Sequence, residues 1–553
     1  MSSGELKLDF NIVESPAYET NDTVLLSQRE AWNVRDDVLS VSDNEPDTPL
    51  YNTQIYGGLR KGDTVKFFSI QCIGLVAATF SSTFAVEFLN NELQPLLKDH
   101  FRLSTAQLAA AQRLTSTPQV LSFLFGLLTD CYPMFGVRRK AYVFVGLAMT
   151  VASFWCIAGL DSYIETLEPG TVSTGLAAFA ITFATLGCLG NIVAYVSIHT
   201  RVIELAQREP LGLRGTIIGT YLIFRCVVYA ITDACVYAVQ KTETAASTHH
   251  TLVLIVAGFI TALPTPLIYY FWEEKCYSLS TSVKTRGQIL WKIMQQKAVW
   301  NVLAFVCFFT LFLNISFSGP AVIISVWAGA SGDNMLMQHM MHYGMITVTI
   351  VVWRYFFMNR PWRSFYAACP LLLIVPQLIV AILVSHDILR NRVFYRVMTL
   401  FSSASFAIGW LSSVVPLTEI IQEGSEGAMV GLTLSLYFLV SLFVETNTMG
   451  ILKGSNLYNI AEVAADTAEG REDVLTALLL NYGINACAFV GIYFLPRQKL
   501  DTQQLRSYGG YTKCASAAIV TFSAILFLYS FTVTVMTFIP ATACIPMMGG
   551  AGC

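Results

Sequence analysis

Residues Gly126–Lys140 read GLLTDCYPMFGVRRK. A glycine, an aspartate four residues on, a proline-containing turn and three consecutive cations (Arg138, Arg139, Lys140) lie between two long apolar runs. Two helices that leave a bilayer and re-enter it need a short hairpin of this kind, and its positive charge belongs on the cytosolic side. The stretch predicts a polytopic helical membrane protein and sets the direction of its chain.

Composition agrees. Of 553 residues, 54% are hydrophobic and 13% charged, where a soluble domain carries about 25% charged. The net charge of −3 gives no pull on a polyanion, so no nucleic-acid partner is expected. The first 60 residues are polar and acidic and carry no apolar core of a signal peptide. They are too poor in apolar groups to order themselves and read as a disordered cytosolic tail. The 13 cysteines are scattered through apolar runs without a CxxC pair, and read as small apolar filler rather than zinc ligands. No phosphate-binding loop, H-E-x-x-H or G-x-S-x-G is present, and the seven histidines form no metal-spaced pair within a span. Neither an enzyme nor a cofactor or metal is expected.

A spanning helix needs about 20 mostly apolar residues. Such runs fall near 66–90, 105–129, 142–160, 173–198, 215–239 and 251–272, then, after a polar linker over 273–297, near 298–325, 338–358, 364–385, 396–420, 428–450 and 474–496. A thirteenth run covers about 515–539. With the N-terminus in the cytosol, the inner loops hold 17 Lys and Arg and the outer loops 8, the bias that orients a multi-pass protein. The C-terminus then lies outside, where Cys544 and Cys553 either form a disulfide or stay as free thiols. The predicted domains are the tail (1–60), a six-helix half (61–272), the linker (273–297), a second six-helix half (298–496) and an extra helix with its tail (497–553). Arg138–Lys140 after the second span is echoed by Arg354, Arg360 and Arg363 after the eighth, as in the parallel repeat of major-facilitator transporters.

The Gly126–Lys140 loop resembles the loop between the second and third helices of the folate-biopterin transporter family, which reads roughly G-[IL]-L-[ST]-D-x-x-P-[IL]-F-G-Y-R-R-[KR]. Leu103–Leu108 (LSTAQL) is similar to that family's L-S-P-A-Q-L, and Glu419 with Gly424-Ser425-Glu426-Gly427 is similar to its E-x(4)-G-N-E-G. The resemblance covers about 65–540. It implies a major-facilitator fold and transport of folates, pterins or related small metabolites, with proton coupling. Ser122 stands where the family's second helix carries Lys, Asn191 and Tyr195 stand where its fourth carries two Asp, and the fifth-helix Arg is kept as Arg225.

An ionisable group inside hydrocarbon is costly, by about 2.5–3.5 kcal/mol on insertion scales, so each needs a partner or a wet cavity. Glu87 in the first span either receives a cationic group or proton, or is solvated at the interface. Arg225 and Asp233 share a face of the fifth span about 12 Å apart; Arg225 calls for a counter-charge, a structural partner or a substrate carboxylate held by its planar fork. Asn191 and Tyr195 offer neutral hydrogen bonds to a substrate or to neighbouring helices. Asn314 lies just before Gly319-Pro320, where a kinked gating helix is expected. Asp130, Arg138, Arg139 and Glu419 are the predicted gate, locking the cytosolic side when the outer side is open; the plainer reading of the arginines is a topology anchor.

The sequence thus predicts an all-α polytopic membrane protein of the major-facilitator type, with two six-helix halves plus one extra C-terminal transmembrane helix, in the plasma membrane or an internal one. Its partners are the lipid bilayer and a small-molecule substrate. The alternative is a non-transporting receptor or scaffold on the same fold. No signal for an oligomeric state is read.

Overall fold

The computed structural model describes residues 57–101, 103–167, 174–243, 250–274, 282–331, 335–543 and 545. Most of the expected acidic tail, residues 275–281 of the linker, and both Cys544 and Cys553 lie outside the described residues. Gly58–Cys553 forms one compact unit.

Among the described residues the secondary structure is helical and no strand forms. The first span is α1 (Ile73–Asp99) and the second is split into α2 (Thr105–Val120) and α3 (Ser122–Cys131). There follow α4 (Lys140–Glu165), α5 (Thr174–Ala206), α6 (Thr216–Glu243) and the sixth span as α7 (His250–Ala262) and α8 (Thr265–Phe271). The linker holds an amphipathic helix, α9 (Val283–Gln295). The second half comprises α10 (Lys297–Asn314) with α11 (Ser318–Trp327), α12 (Met335–Val352), α13 (Trp362–Ser385), α14 (Arg392–Ile420), α15 (Glu426–Thr448), the short α16 (Ile460–Ala464), and α17 (Ala468–Ala486) with α18 (Ala488–Phe494). The chain continues through α19 (Lys499–Tyr508), the extra span α20 (Lys513–Phe538) and the short α21 (Pro540–Ala543).

Eleven of these segments are long and apolar enough to cross a membrane among the described residues. The two expected spans outside that set are the broken α2–α3 and α12, which carries Gln338, His339 and His342 in its first half. The second span was expected to be continuous over 105–129. Pro118 has no N–H to continue the helical ladder, and the chain re-enters helix after Leu121. The freed Phe123 N–H donates to Ser435 Oγ of α15 at 2.7 Å. The seventh span is likewise interrupted, at Ile315–Phe317, just ahead of the expected Gly319-Pro320 kink. Asn481 and Asn485 of α17 satisfy its backbone: Asn485 Nδ2 donates to Phe312 O (2.6 Å) and Ile315 O (2.8 Å), and Asn481 Oδ1 accepts Phe317 N–H at 2.5 Å. An interrupted helix is tolerated at membrane depth only when its backbone groups find such partners. The first span is shifted from the expected 66–90 and runs on to Asp99, which moves Glu87 from the expected outer end to mid-helix.

The LSTAQL motif has a local job. Ser104 and Gln107 form a reciprocal capping box that starts α2. The halves meet chiefly at two helix pairs, α3 with α15 and α6 with α12, and α15 also packs on α2 and α5. Backbones touch at the first: a Cβ on Gly126 would lie 2.0 Å from Gly427 O, and one on Gly431 2.4 Å from Ser122 O. Small residues are what allow such approach between membrane helices. At the second, Gly215, just ahead of α6, and Gly219, one turn on, lie against the Trp353 ring. The extra helix α20 packs on α15 and on α2, so it touches both halves, and Tyr529 OH donates to Asn447 Oδ1 at 2.7 Å.

Candidate substrate site and gate

The quoted loop closes one end of the bundle. Gly136, at φ +79°, completes the turn after Pro133. The N–H groups of Arg138, Arg139 and Lys140 then converge on the Glu274 carboxylate at 2.9 Å each, an anion at the N-terminus of α4. This orients the two arginine side chains back toward Asp130. Arg139 Nη2 lies 2.6 Å and Arg138 Nη2 3.1 Å from Asp130 Oδ1. Asp130 also accepts the N–H groups of Gly427 (3.2 Å) and Ala428 (2.8 Å), capping α15 of the other half.

Around this core stand residues the sequence reading did not select. Arg139 reaches Glu204 of α5 (3.4 Å) and Glu426 of α15 (3.7 Å). Arg60, ahead of α1, pairs with Glu426 and lies 3.8 Å from both Glu204 and Glu423. Burial works against the charge of Arg139, but Asp130, Glu204 and Glu426 outweigh it and raise its pKa. Glu419 forms a second tie between the halves, with Arg214 Nη1 at 2.8 Å and Gln503 Nε2 at 2.8 Å. Beside it burial lowers the Lys499 ammonium to about 8; Nζ donates to Leu211 O, Arg214 O and Asn359 Oδ1. Gln207 Nε2 adds hydrogen bonds to Thr418 O (3.0 Å) and Ile421 O (3.1 Å). All four predicted gate residues therefore sit in contacts across or beside the seam between the halves.

The predicted substrate residues gather in the middle of the bundle, with one exception. On α6, Tyr221, Arg225, Tyr229 and Asp233 recur every four residues and share a face. The Arg225 guanidinium lies 4.4 Å from the Tyr195 ring centre, 5.4 Å from Tyr229 and 5.8 Å from Tyr221. It donates to Tyr229 OH (2.5 Å) and Thr83 Oγ1 (3.4 Å). No described carboxylate forms a salt bridge with it. Asn191, one turn before Tyr195 on α5, accepts from Ser82 Oγ at 2.8 Å. His199, a further turn on, contacts Tyr195 and Tyr221. Tyr229 stacks at 4.8 Å on Tyr343 of α12, and Tyr343 OH donates to both oxygens of Glu87 at 3.3 Å. Glu87 is 7% exposed, against the expected alternative of interfacial solvation. Asp233, as expected, does not pair with Arg225; its Oδ1 accepts from Asn91 Nδ2 at 2.6 Å. Asn314 stands apart, donating to Ser441 Oγ at 3.3 Å beside the break in the seventh span.

Tyr221, Tyr229 and Tyr343 were missed. The four-residue spacing around Arg225 was the available signal for the first two; Tyr343 is brought in by packing alone.

The helical bundle, with its two halves packed on each other and an ion-pair cluster at one end of the seam, defines a membrane protein of the major-facilitator fold. The solved structures agree: a major facilitator superfamily proton:xylose symporter bound to 6-bromo-6-deoxy-D-glucose superposes with TM-score 0.55 at 14% identity over 79% of this chain and 99% of that one. A bacterial homologue of the iron transporter ferroportin in an outward-facing state gives 0.53 at 13%, over 76% and 99%. The BT1 family matches residues 83–461, and the chain belongs to that family. Among curated relatives, the folate-biopterin transporter of Synechocystis is 30% identical over 123 residues, 22% of each chain. Folate transporter 1 of Plasmodium falciparum is 22% identical over 211 residues, 38% of each chain. The matched stretches thus span well under half the length of these relatives.

Proposed function

We propose that the protein carries a small organic anion with a flat ring across its membrane by alternating access, without a catalytic step. The observation that carries this reading is Arg225, set among Tyr195, Tyr221 and Tyr229 without a carboxylate partner among the described residues. A cation held at membrane depth needs an anion or water. A substrate carboxylate supplies the anion, and the tyrosine faces supply flat apolar contact for a heteroaromatic ring. Family membership and the folate transport named for its relatives point to the same substrate class. Two halves, 61–272 and 298–496, rock about this centre as the gate forms and parts, joined by the linker 273–297 and flanked by 497–553. Proton coupling belongs to the same reading: Glu87 and Asp233 are neighbouring buried carboxyls, and a shared proton removes their repulsion.

The test is thermal unfolding of the purified protein with folates, pterins, nicotinate and amino acids. A ligand at about 100 times its Kd adds about 2.7 kcal/mol. A stabilising shift is expected for flat carboxylates, and its loss in Arg225→Ala. No shift with any of them contradicts the proposal.

A further inference from the structure

His339 of α12 lies with Glu87 of α1 and Asp233 of α6; one ligand atom from each falls within 4.8 Å of the other two. The three come from both halves of the bundle. Asp233 is fully buried, and while its Oδ1 is held by Asn91, its Oδ2 is buried without a hydrogen-bond partner. That oxygen faces Glu87, and with both carboxyls ionised only a cation can answer it; the alternative is a proton shared between the two. Glu87 is held from outside by Tyr343 OH at both oxygens. Tyr343 and His339 lie one turn apart on α12, so one helix face supplies a ligand and the group that orients another.

We infer that Glu87, Asp233 and His339 form a site for a divalent first-row cation of the zinc or manganese type, bridging the two halves. One imidazole and two carboxylates match the donor preference of such ions and cancel their charge. Metal–ligand distances of about 2.0–2.2 Å put neighbouring donor atoms about 3.4 Å apart. The observed grouping reaches that by side-chain rotation of about an ångström. On binding, the cation displaces any proton held between the carboxyls, because the ligands bind deprotonated. Bound metal ties α12 to α1 and α6 and holds the bundle in the arrangement seen here. The site stands independently of the anion proposed at Arg225, and it takes the same two carboxyls as the proposed proton coupling, so metal and proton compete there.

Isothermal titration of Zn²⁺ into metal-stripped, purified full-length protein tests this without any transport substrate. Expected is one Zn²⁺ per chain, with heat that depends on the buffer's ionisation enthalpy because protons are released. His339→Ala and Asp233→Asn each weaken it at least about 10-fold, while His386→Ala, on the loop after α13, leaves it unchanged. His339 is only part-buried, so its truncation is compatible with folding, which each variant's unfolding temperature checks. Absence of a saturable site in the wild type overturns the inference. So does Zn²⁺ binding that survives both substitutions, which would place the metal on other histidines.

Discussion

The Asp130 carboxylate accepts the backbone N–H of Ala428 at 2.8 Å, although the two residues lie in different halves of the bundle and 298 positions apart. The same carboxylate pairs with Arg138 and Arg139. One side chain thus joins the basic hairpin to the start of α15. Removing one partner of a buried ion pair costs about 3–5 kcal/mol. Asp130→Asn is expected to shift the ratio of closed to open gate by about two to four orders of magnitude. Cysteine accessibility of the seam around Gly427 reads this shift; unchanged accessibility contradicts it.

Gly427 tests the same closure by sterics alone. A Cβ there would lie 2.6 Å from both Arg139 Nη1 and Gly126 O, and 2.7 Å from Thr129 Oγ1. Overpacking of this kind costs about 1–3 kcal/mol. Gly427→Ala is expected to disfavour the closed gate and slow transport, with the chain still folded. Gly287→Ala, in open space on α9, is expected to do neither.

At Arg225 the shape of the cation matters as much as its charge. Lys keeps the charge and loses the flat face against Tyr195 and the two-pronged grip on a carboxylate. Arg225→Lys is expected to weaken binding of a flat carboxylate by about tenfold or more, and Arg225→Ala further. Equal affinity of the wild type and Arg225→Lys would remove the planar clamp.

How much of this was legible beforehand differs by element. The hairpin was legible because hydropathy and charge change sharply over 15 residues. Arg225 was legible because a charge in an apolar run needs a reason. The partners were not. Glu204, Arg214 and Arg60 look like ordinary loop charges until folding sets them against Arg139, Glu419 and Glu426. Glu426 lay inside the quoted G-S-E-G motif and was passed over for Glu419. His339 sits in a Met-rich run whose pattern names no neighbour. The breaks in the second and seventh spans depend on Ser435, Asn481 and Asn485, all distant in sequence.

Those asparagines make a further prediction. Asn485→Leu removes the side-chain donor to Phe312 O at the helix break, while Ile315 O keeps Asn481 Nδ2 at 3.2 Å. An unsatisfied buried polar group costs about 1–3 kcal/mol. A lower unfolding temperature is expected, and none is expected from Asn459→Ala, whose cap is exposed.

Away from the Asp130 cluster, on the loop after α16, Asp466 receives Arg390 at 2.6 Å and Arg471 at 2.8 Å, and these hold its pKa down to about 2. A depressed carboxyl adds stability that is full above its ordinary pKa of 3.8 and is lost as pH falls through about 2. Asp466 has φ +54°, which Asn tolerates, so Asp466→Asn removes the charge and keeps the turn. The variant is expected to be modestly less stable at pH 7, with the difference shrinking in high salt and vanishing in strong acid. A difference that persists at high salt would point to geometry instead of charge.

Flux of an anionic solute held at Arg225 is the direct expression of the proposed transport. Uptake of a radiolabelled folate-class carboxylate that stabilises the protein, into proteoliposomes containing the full chain, measures it. Saturable uptake is expected in the wild type, near background in Arg225→Ala and reduced in Asp130→Asn. Binding of that ligand without uptake in the wild type, or uptake undiminished in Arg225→Ala, would contradict it.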